Sequence, residues 1–163
     1  GMNRPAWTWF RDSQRQLQAE IPFTGMAVSS DLGDSLDVQP RHKKEIGKRL
    51  ARLALNNTYG KTSVVPSGPL FRQVDFRKNR AVVNFHHADG LQTSDGAAPR
   101  TFEVAEFPGL FFPAKAEIVG NQVKLTAPEV KKIRYVRYGW QPFTRANLIN
   151  AAGLPASTFT TEE

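Results

Sequence analysis

The stretch PAKAEIVGNQVKLT, residues 113–126, decides the fold. Apolar and polar side chains alternate on both sides of the pair Gly120 and Asn121. A period of two residues is typical of a strand with one buried face, and a glycine beside an asparagine between two such runs favours a turn. The stretch therefore predicts two antiparallel strands, at 113–119 and 123–126.

Other short strands extend this pattern over the second part of the chain. Similar apolar runs predict strands at 62–65, 71–76, 81–85, 101–106 and 133–140. Turn-forming residues separate them at 66–69, 78–79, 94–96 and 107–109. Many short strands with such punctuation are typical of an antiparallel β-sandwich, which we expect to cover residues 61–163.

The first 60 residues show a different pattern. Helical spacing predicts helices at 5–20 and at 41–58, and the second helix should dock through Ile46, Leu50 and Leu53. Between them, the apolar run 26–28 after a glycine is typical of a buried strand. The predicted fold class is thus α+β and mainly β, with a helix–strand–helix unit at 1–60 followed by the sandwich.

Composition excludes several kinds of site. Cysteine is absent, which rules out disulfides, thiolate zinc sites and a cysteine nucleophile. The net charge of +7 permits nucleic-acid binding. However, much of the excess lies at 41–52 and 131–137, interleaved with apolar residues, as on solvated faces. We expect no cofactor, no metal, no nucleic-acid partner and no membrane partner.

A literal GDSL string at 33–36 offers Ser35 as a candidate nucleophile. A nucleophilic serine needs a histidine base that is oriented by an acid. GDSL hydrolases place these as Asp-x-x-His, but the residues three positions before His86 and His87 are Val83 and Asn84. The string is therefore interpreted as coincidence.

Two further patterns have ordinary structural explanations. Adjacent histidines in a strand point to opposite faces, so His86 and His87 are poorly placed to share a metal. The segment 134–140, RYVRYGW, could stack on sugar rings or bases. Its alternation is more typical of one row of core residues beside one row of solvent-facing residues.

Several ordered motifs resemble the sialate O-acetylesterase family, a branch of the SGNH (GDSL-type) hydrolases that deacetylates sugars. The matching stretches are FTGMAV at 23–28, DLGD at 31–34, DVQP at 37–40, YGK at 59–61, SGPL at 67–70, VRYGW at 136–140 and GLPASTF at 153–159. The resemblance spans nearly the whole chain. The resemblance implies that the chain corresponds to the last third of such an enzyme. This third would contain the end of the hydrolase domain followed by a C-terminal β domain.

The resemblance also implies an incomplete catalytic site. In the family, the nucleophile and oxyanion donors precede this stretch, and its Asp-x-His motif falls on Asp37 and Gln39. A carboxamide does not titrate near neutral pH and relays no proton. His42 lies three residues further on, at the helix start. We therefore expect a pseudoenzyme, although the family itself consists of carboxylic ester hydrolases.

Three roles stay open at this point. The chain could be a non-catalytic part of a carbohydrate esterase, an active half completed by a separate chain, or a free-standing sugar-binding or structural β-sandwich. The expected partners are an acetylated sugar or glycan, and an upstream esterase half or a second copy that covers the apolar residues at 5–30. Family members are often secreted or periplasmic, but residues 1–7 show no apolar signal core, so the localisation stays open.

Overall fold

The computed structural model describes residues 6–33 and 42–162. Helix α1 spans Ala6–Glu20 and helix α2 spans Lys43–Asn57, close to the predicted bounds. The strands are β1 (Leu70–Arg77), β2 (Arg80–His86), β3 (Gln92–Thr93), β4 (Phe102–Ala105), β5 (Phe112–Pro113), β6 (Lys115–Val119), β7 (Gln122–Thr126), β8 (Tyr135–Tyr138), β9 (Leu148–Ile149) and β10 (Phe159–Thr160).

Two four-stranded antiparallel sheets make up most of the fold. The first has the order β1-β2-β7-β6 and the second has the order β10-β8-β4-β5, while β3 and β9 form a short ribbon. Neither sheet closes into a barrel. The predicted class, mainly β with two helices, is confirmed; the proposed boundary near residue 60 stays a prediction.

The hairpin at 113–126 forms as its alternation indicates. Ile118 pairs with Val123 and Val119 pairs with Gln122, so the turn consists of Gly120 and Asn121. Gly120 has φ +60°, which a residue without a Cβ adopts at little cost.

One apolar core lies between the two sheets. Val83 and Leu125 of the first sheet and Val104 and Val136 of the second are fully buried in a single cluster. The ring of Phe159 stacks on Phe71 with 4.5 Å between centroids. Side chains of the two inner faces thus interdigitate as in a β-sandwich.

The predicted strand 113–119 is interrupted where the chain changes sheets. Ala114 donates its N–H to the carbonyl of Phe102 at 2.9 Å. On one side of it β5 pairs with β4 in the second sheet, and on the other side β6 pairs with β7 in the first. One continuous alternation in sequence therefore supplies an edge strand to each sheet.

Two strand predictions in the first part of the chain are wrong. Residues 62–65 form turns, since Val64 donates to the carbonyl of Lys61 and accepts a bond from Asn56 of α2. Residues 26–28 are half-buried and belong to no β-ladder among the described residues. An apolar run becomes a strand only when a neighbouring strand pairs with its backbone.

The docking face of α2 also differs from the prediction. Leu50 is 51% exposed, whereas Arg49 is the buried residue of this helix. Leu53 does face inward, because a Cβ built on Gly25 would lie 3.1 Å from its Cδ2 atom. Ile46 is half-buried as well, so of the three predicted docking residues only Leu50 lies on the exposed side.

Truncation of a leucine in the core should destabilise the protein far more than truncation of a leucine on the exposed side of α2. Leu125→Ala should lower the free energy of unfolding by about 2–5 kcal/mol, because the side chain is fully buried. Leu50→Ala is the matched control and should cost at most about 1 kcal/mol. Urea denaturation followed by tryptophan fluorescence measures both, and equal losses would place Leu50 in the core.

Candidate functional site

A groove lies between α1 and the segment 21–33. The residues 142–144 and 157–158 of the sandwich form its floor, and its volume is about 670 Å³. The groove therefore lies where the helical part of the chain meets the β part.

An apolar stripe on α1 forms one wall of the groove. It consists of Trp7, Phe10, Leu17 and Ile21, with Gln14 in the middle. Their spacings alternate between three and four residues, which places them on one helix face. The four apolar residues are between 43% and 54% exposed. A continuous exposed apolar face of this size is uncommon on a soluble monomer.

Aromatic residues continue this surface at the rim. Phe23 follows α1, is fully exposed and has φ +60°. A bulky residue rarely adopts that backbone conformation, and nothing in the described structure shelters its ring. Phe143, which belongs to the groove floor, is also exposed. The groove is therefore apolar at its wall and at its rim.

The guanidinium of Arg11 fixes α1 to the sandwich. It donates to the carbonyls of Gly139, Gln141 and Pro142 at 3.0, 2.6 and 3.0 Å. It also donates to the hydroxyl of Thr158 at 3.2 Å. Burial lowers the pKa of Arg11 from its ordinary value. The fork of donors on one planar group matches several carbonyls of the same loop.

A buried carboxylate supports the inner face of the same helix. Asp12 accepts hydrogen bonds from Arg15 at 2.7 Å and from Gln16 at 2.9 Å. The guanidinium of Arg15 also lies 5.7 Å from the ring centroid of Phe71 in the sandwich. The inner face of α1 is thus polar, and its apolar stripe faces the groove.

The second wall is held by Arg49 of α2. Its two terminal nitrogens bond the two oxygens of Asp31 at 2.6 and 2.7 Å, and one also donates to the carbonyl of Val28 at 2.7 Å. The hydrogen bonds to Asp31 raise the pKa of Arg49. This bidentate pair fixes the segment 28–31, which leads directly to residues 34–41.

The predicted catalytic positions fall mostly in that following segment. Ser35, Asp37 and Gln39 lie outside the described residues. His42 precedes α2 and is exposed, and its side chain makes no capping hydrogen bond. The structure thus places the described residues around the groove and gives no geometry for the Asp-x-His positions.

The adjacent histidines lie outside the groove, at the end of β2. Their ring centroids are 6.5 Å apart, and His87 has φ +55°. Burial and then the neighbouring charge of His86 lower the pKa of His87. Among residues 6–33 and 42–162, no group of three or more His, Asp or Glu residues is placed to hold a metal ion.

The arginine- and aromatic-rich segment 134–140 has a structural role. Val136 and Tyr138 face the core, as the alternation predicts, and the hydroxyl of Tyr138 accepts a bond from the N–H of Leu148 at 3.0 Å. Burial raises the pKa of Tyr138. Trp140 packs edge-on against Trp9 with 5.0 Å between centroids. These aromatic residues thus serve packing.

Sequence reasoning missed the two arginines that shape the groove. Arg49 lies three residues after Ile46, on the apolar face of α2, and that position is a signal that could have identified it. Arg11 carries no such local signal, because its carbonyl partners lie about 130 residues further along the chain.

In the described part of the chain, no helix has both the length and the apolar character that a membrane crossing requires.

Comparisons with known proteins point to one enzyme class. No family model matches the chain, and no curated protein does. Among solved structures, the chain is similar to a carbohydrate acetylesterase from Xanthomonas citri, with 36% identity and a TM-score of 0.86. The match covers 92% of this chain and 35% of that protein, so the chain spans about a third of its length. This similarity supports a relationship to carbohydrate esterases.

Removal of the Arg11 contacts should loosen α1. Arg11→Ala should cost about 1–3 kcal/mol of unfolding free energy, because four hydrogen bonds to the partly buried loop 139–142 and to Thr158 are lost. Arg11→Lys should recover only part of the lost unfolding free energy, since an ammonium group cannot reproduce the planar fork of donors. Near-UV circular dichroism of the Trp9–Trp140 pair reports whether the helix stays docked. Gln14→Ala, which lies in the groove, is the control; an equal loss there would contradict the role of Arg11.

Proposed function

We propose that this chain is the C-terminal part of a sialate O-acetylesterase-like SGNH carbohydrate esterase and does not hydrolyse esters unaided. The observation that carries the proposal is the 36% identity over 92% of the chain with a part of a carbohydrate acetylesterase. In this proposal, residues 1–60 belong to the hydrolase domain and residues 61–163 form a C-terminal β domain. The substrate class is an acetylated sugar or glycan.

In this proposal, the rest of the hydrolase domain docks in the groove. About two thirds of the similar esterase has no counterpart in this chain, since the match covers 35% of it. The apolar stripe of α1 offers a continuous surface for that portion. Whether the portion lies on the same polypeptide or on a separate one, it would cover the same side chains.

The segment 25–28 offers backbone hydrogen-bonding groups to the docked portion. Its residues join no ladder within the described structure, and only the carbonyl of Val28 is held, by Arg49. A short extended segment with free N–H and C=O groups accepts an added strand. A strand of the hydrolase portion would therefore pair there, while its apolar helices would cover Phe10 and Leu17.

The chemistry explains why the chain would be inactive. Acyl transfer by a serine needs a base that takes the hydroxyl proton and donors that stabilise the oxyanion. At the family's Asp-x-His positions, Asp37 would orient a side chain that cannot accept this proton, because position 39 is Gln. The proposed contribution of the chain is thus structural, with Asp37 kept and the base lost.

Restoring the histidine tests this proposal. The chain alone should show no acetyl-ester turnover above background. In a chimaera, this chain replaces the matching third of the Xanthomonas citri esterase, and Gln39→His should then raise kcat by about 10²–10⁴, the usual contribution of a general base.

Matched variants decide the outcome of that experiment. The chimaera with Gln39→Asn should stay as inactive as the chimaera that keeps glutamine at position 39. Two results would overturn the proposal: a chimaera equally active with Gln and His at position 39, or turnover by the chain alone that Ser35→Ala abolishes. Circular dichroism and a urea titration confirm that each chimaera is folded.

Without the hydrolase portion, the groove should be covered by a second copy. We expect self-association at micromolar concentration through residues 5–30, because exposed apolar surface of this extent is unfavourable in water. Sedimentation measures the mass. Phe10→Glu with Leu17→Glu should give the 18.2 kDa monomer, while the equally exposed pair Leu50→Glu and Leu110→Glu should not. A monomeric parent chain would show that no second copy covers the groove.

A further inference from the structure

A basic cluster lies at one end of the first sheet, away from the groove. Arg77, Lys78 and Arg80 surround the turn between β1 and β2. The loop that carries Lys131 and Lys132 lies beside this turn, since the N–H of Ile133 donates to the carbonyl of Lys78 at 2.7 Å. Two segments that are 50 residues apart in sequence thus bring their cations together.

The sheet register adds a sixth cation. Arg77 lies opposite Arg80, Arg80 opposite Thr126, and Thr126 opposite Lys115. Neighbouring strands are about 4.8 Å apart, so Arg80 and Lys115 are separated by about 10 Å of backbone. Their sequence neighbours Ala81 and Ala116 are buried, so by alternation the cations lie on the outer face.

None of the six cations is neutralised within the described residues. All are exposed, and no described ion pair includes any of them. By contrast, Arg15, Arg49, Arg100, Lys124 and Arg137 each have a carboxylate partner. Two acids lie near these cations: Glu129 in the same loop, and Asp75 two residues before Arg77 on the same strand face. Glu117, two residues after Lys115, is already paired with Lys124 at 3.9 Å. Six cations and the first two carboxylates leave four net positive charges, more than half of the chain's +7.

We propose that this cluster binds a polysaccharide that carries carboxylates, such as a uronic-acid polymer. Like charges at these separations repel, so an anion that lies across several of them lowers the electrostatic free energy. The choice of a polysaccharide rests on the proposed function, because a carbohydrate esterase meets its acetyl groups on glycan chains. The cluster would hold the polymer, and the acetyl group would react elsewhere.

The surface is less suited to single-stranded nucleic acid. Proteins that bind single strands combine cations with aromatic rings on which successive bases stack. None of the six residues is aromatic, and the exposed ring of Phe76 lies on the opposite face of β1 from Arg77. An exposed cluster of cations without aromatic rings instead fits repeated anionic groups along a flexible chain.

Binding of polygalacturonate tests the proposal, with a neutral galactan as reference. At about 20 mM salt the folded chain should bind the polyuronate and not the galactan, and higher ionic strength should weaken binding because the contacts are exposed. The variant carries Arg77→Gln, Arg80→Gln, Lys131→Gln and Lys132→Gln. Its affinity should fall about tenfold.

The control removes the same charge from another surface. Lys43→Gln, Lys44→Gln, Lys48→Gln and Lys61→Gln take four exposed cations from α2 and the residues after it, and should leave the affinity nearly unchanged. An equal loss of affinity in both variants would mean that net charge alone determines binding, and it would overturn the proposal. So would tighter binding of duplex DNA at the same salt, or no binding of the polyuronate. Because the assay involves no catalysis, its failure leaves the proposed esterase origin standing.

Discussion

The arrangement of the groove depends on one half-buried cation, Arg11. Apart from Trp9, which packs against Trp140, the large apolar side chains of α1 face the groove, so the helix is not held to the sandwich by the usual apolar stripe. Instead, Arg11 bonds three carbonyls of the loop 139–142 together with Thr158. That loop requires Gly139 at φ +64°, where a Cβ would come within 3.1 Å of the Thr158 hydroxyl. A side chain at position 139 would thus disturb two partners of Arg11 at once.

Sequence reasoning recovered what is local and missed what is distant. The hairpin at 113–126 was predictable, because its alternation and its turn are contained in fourteen residues. The absence of a strand at 26–28 was not predictable, since a strand forms only beside a partner strand, and none lies beside these residues in the described structure. Leu50 was assigned to the wrong side of α2 because periodicity cannot foresee that Arg49 pairs with Asp31, 18 residues earlier. The candidate site at Asp37 and Gln39 followed from family resemblance, and no periodicity indicated it.

The two walls of the groove are fixed independently of anything that fills it. Arg11 ties α1 to the sandwich, and Arg49 ties the segment 28–31 to α2. Both anchors use charged groups with several bonds each, which are costly to break once the groups are buried. A partner that docks there therefore meets a surface that is already shaped and loses little conformational entropy on binding. The proposed docking of a hydrolase portion would therefore need little rearrangement of either wall.

The apolar groove and the basic cluster lie at opposite ends of β1. The strand begins beside the groove floor, where the N–H of Ser157 donates to the carbonyl of Pro69 at 3.2 Å. It ends at Arg77, seven residue steps from Leu70, which is about 23 Å at the usual rise per residue. A hydrolase portion seated in the groove would therefore leave the cluster exposed. If both proposals hold, a glycan chain at the cluster would not compete with the hydrolase portion for the groove, because the two surfaces lie at opposite ends of β1.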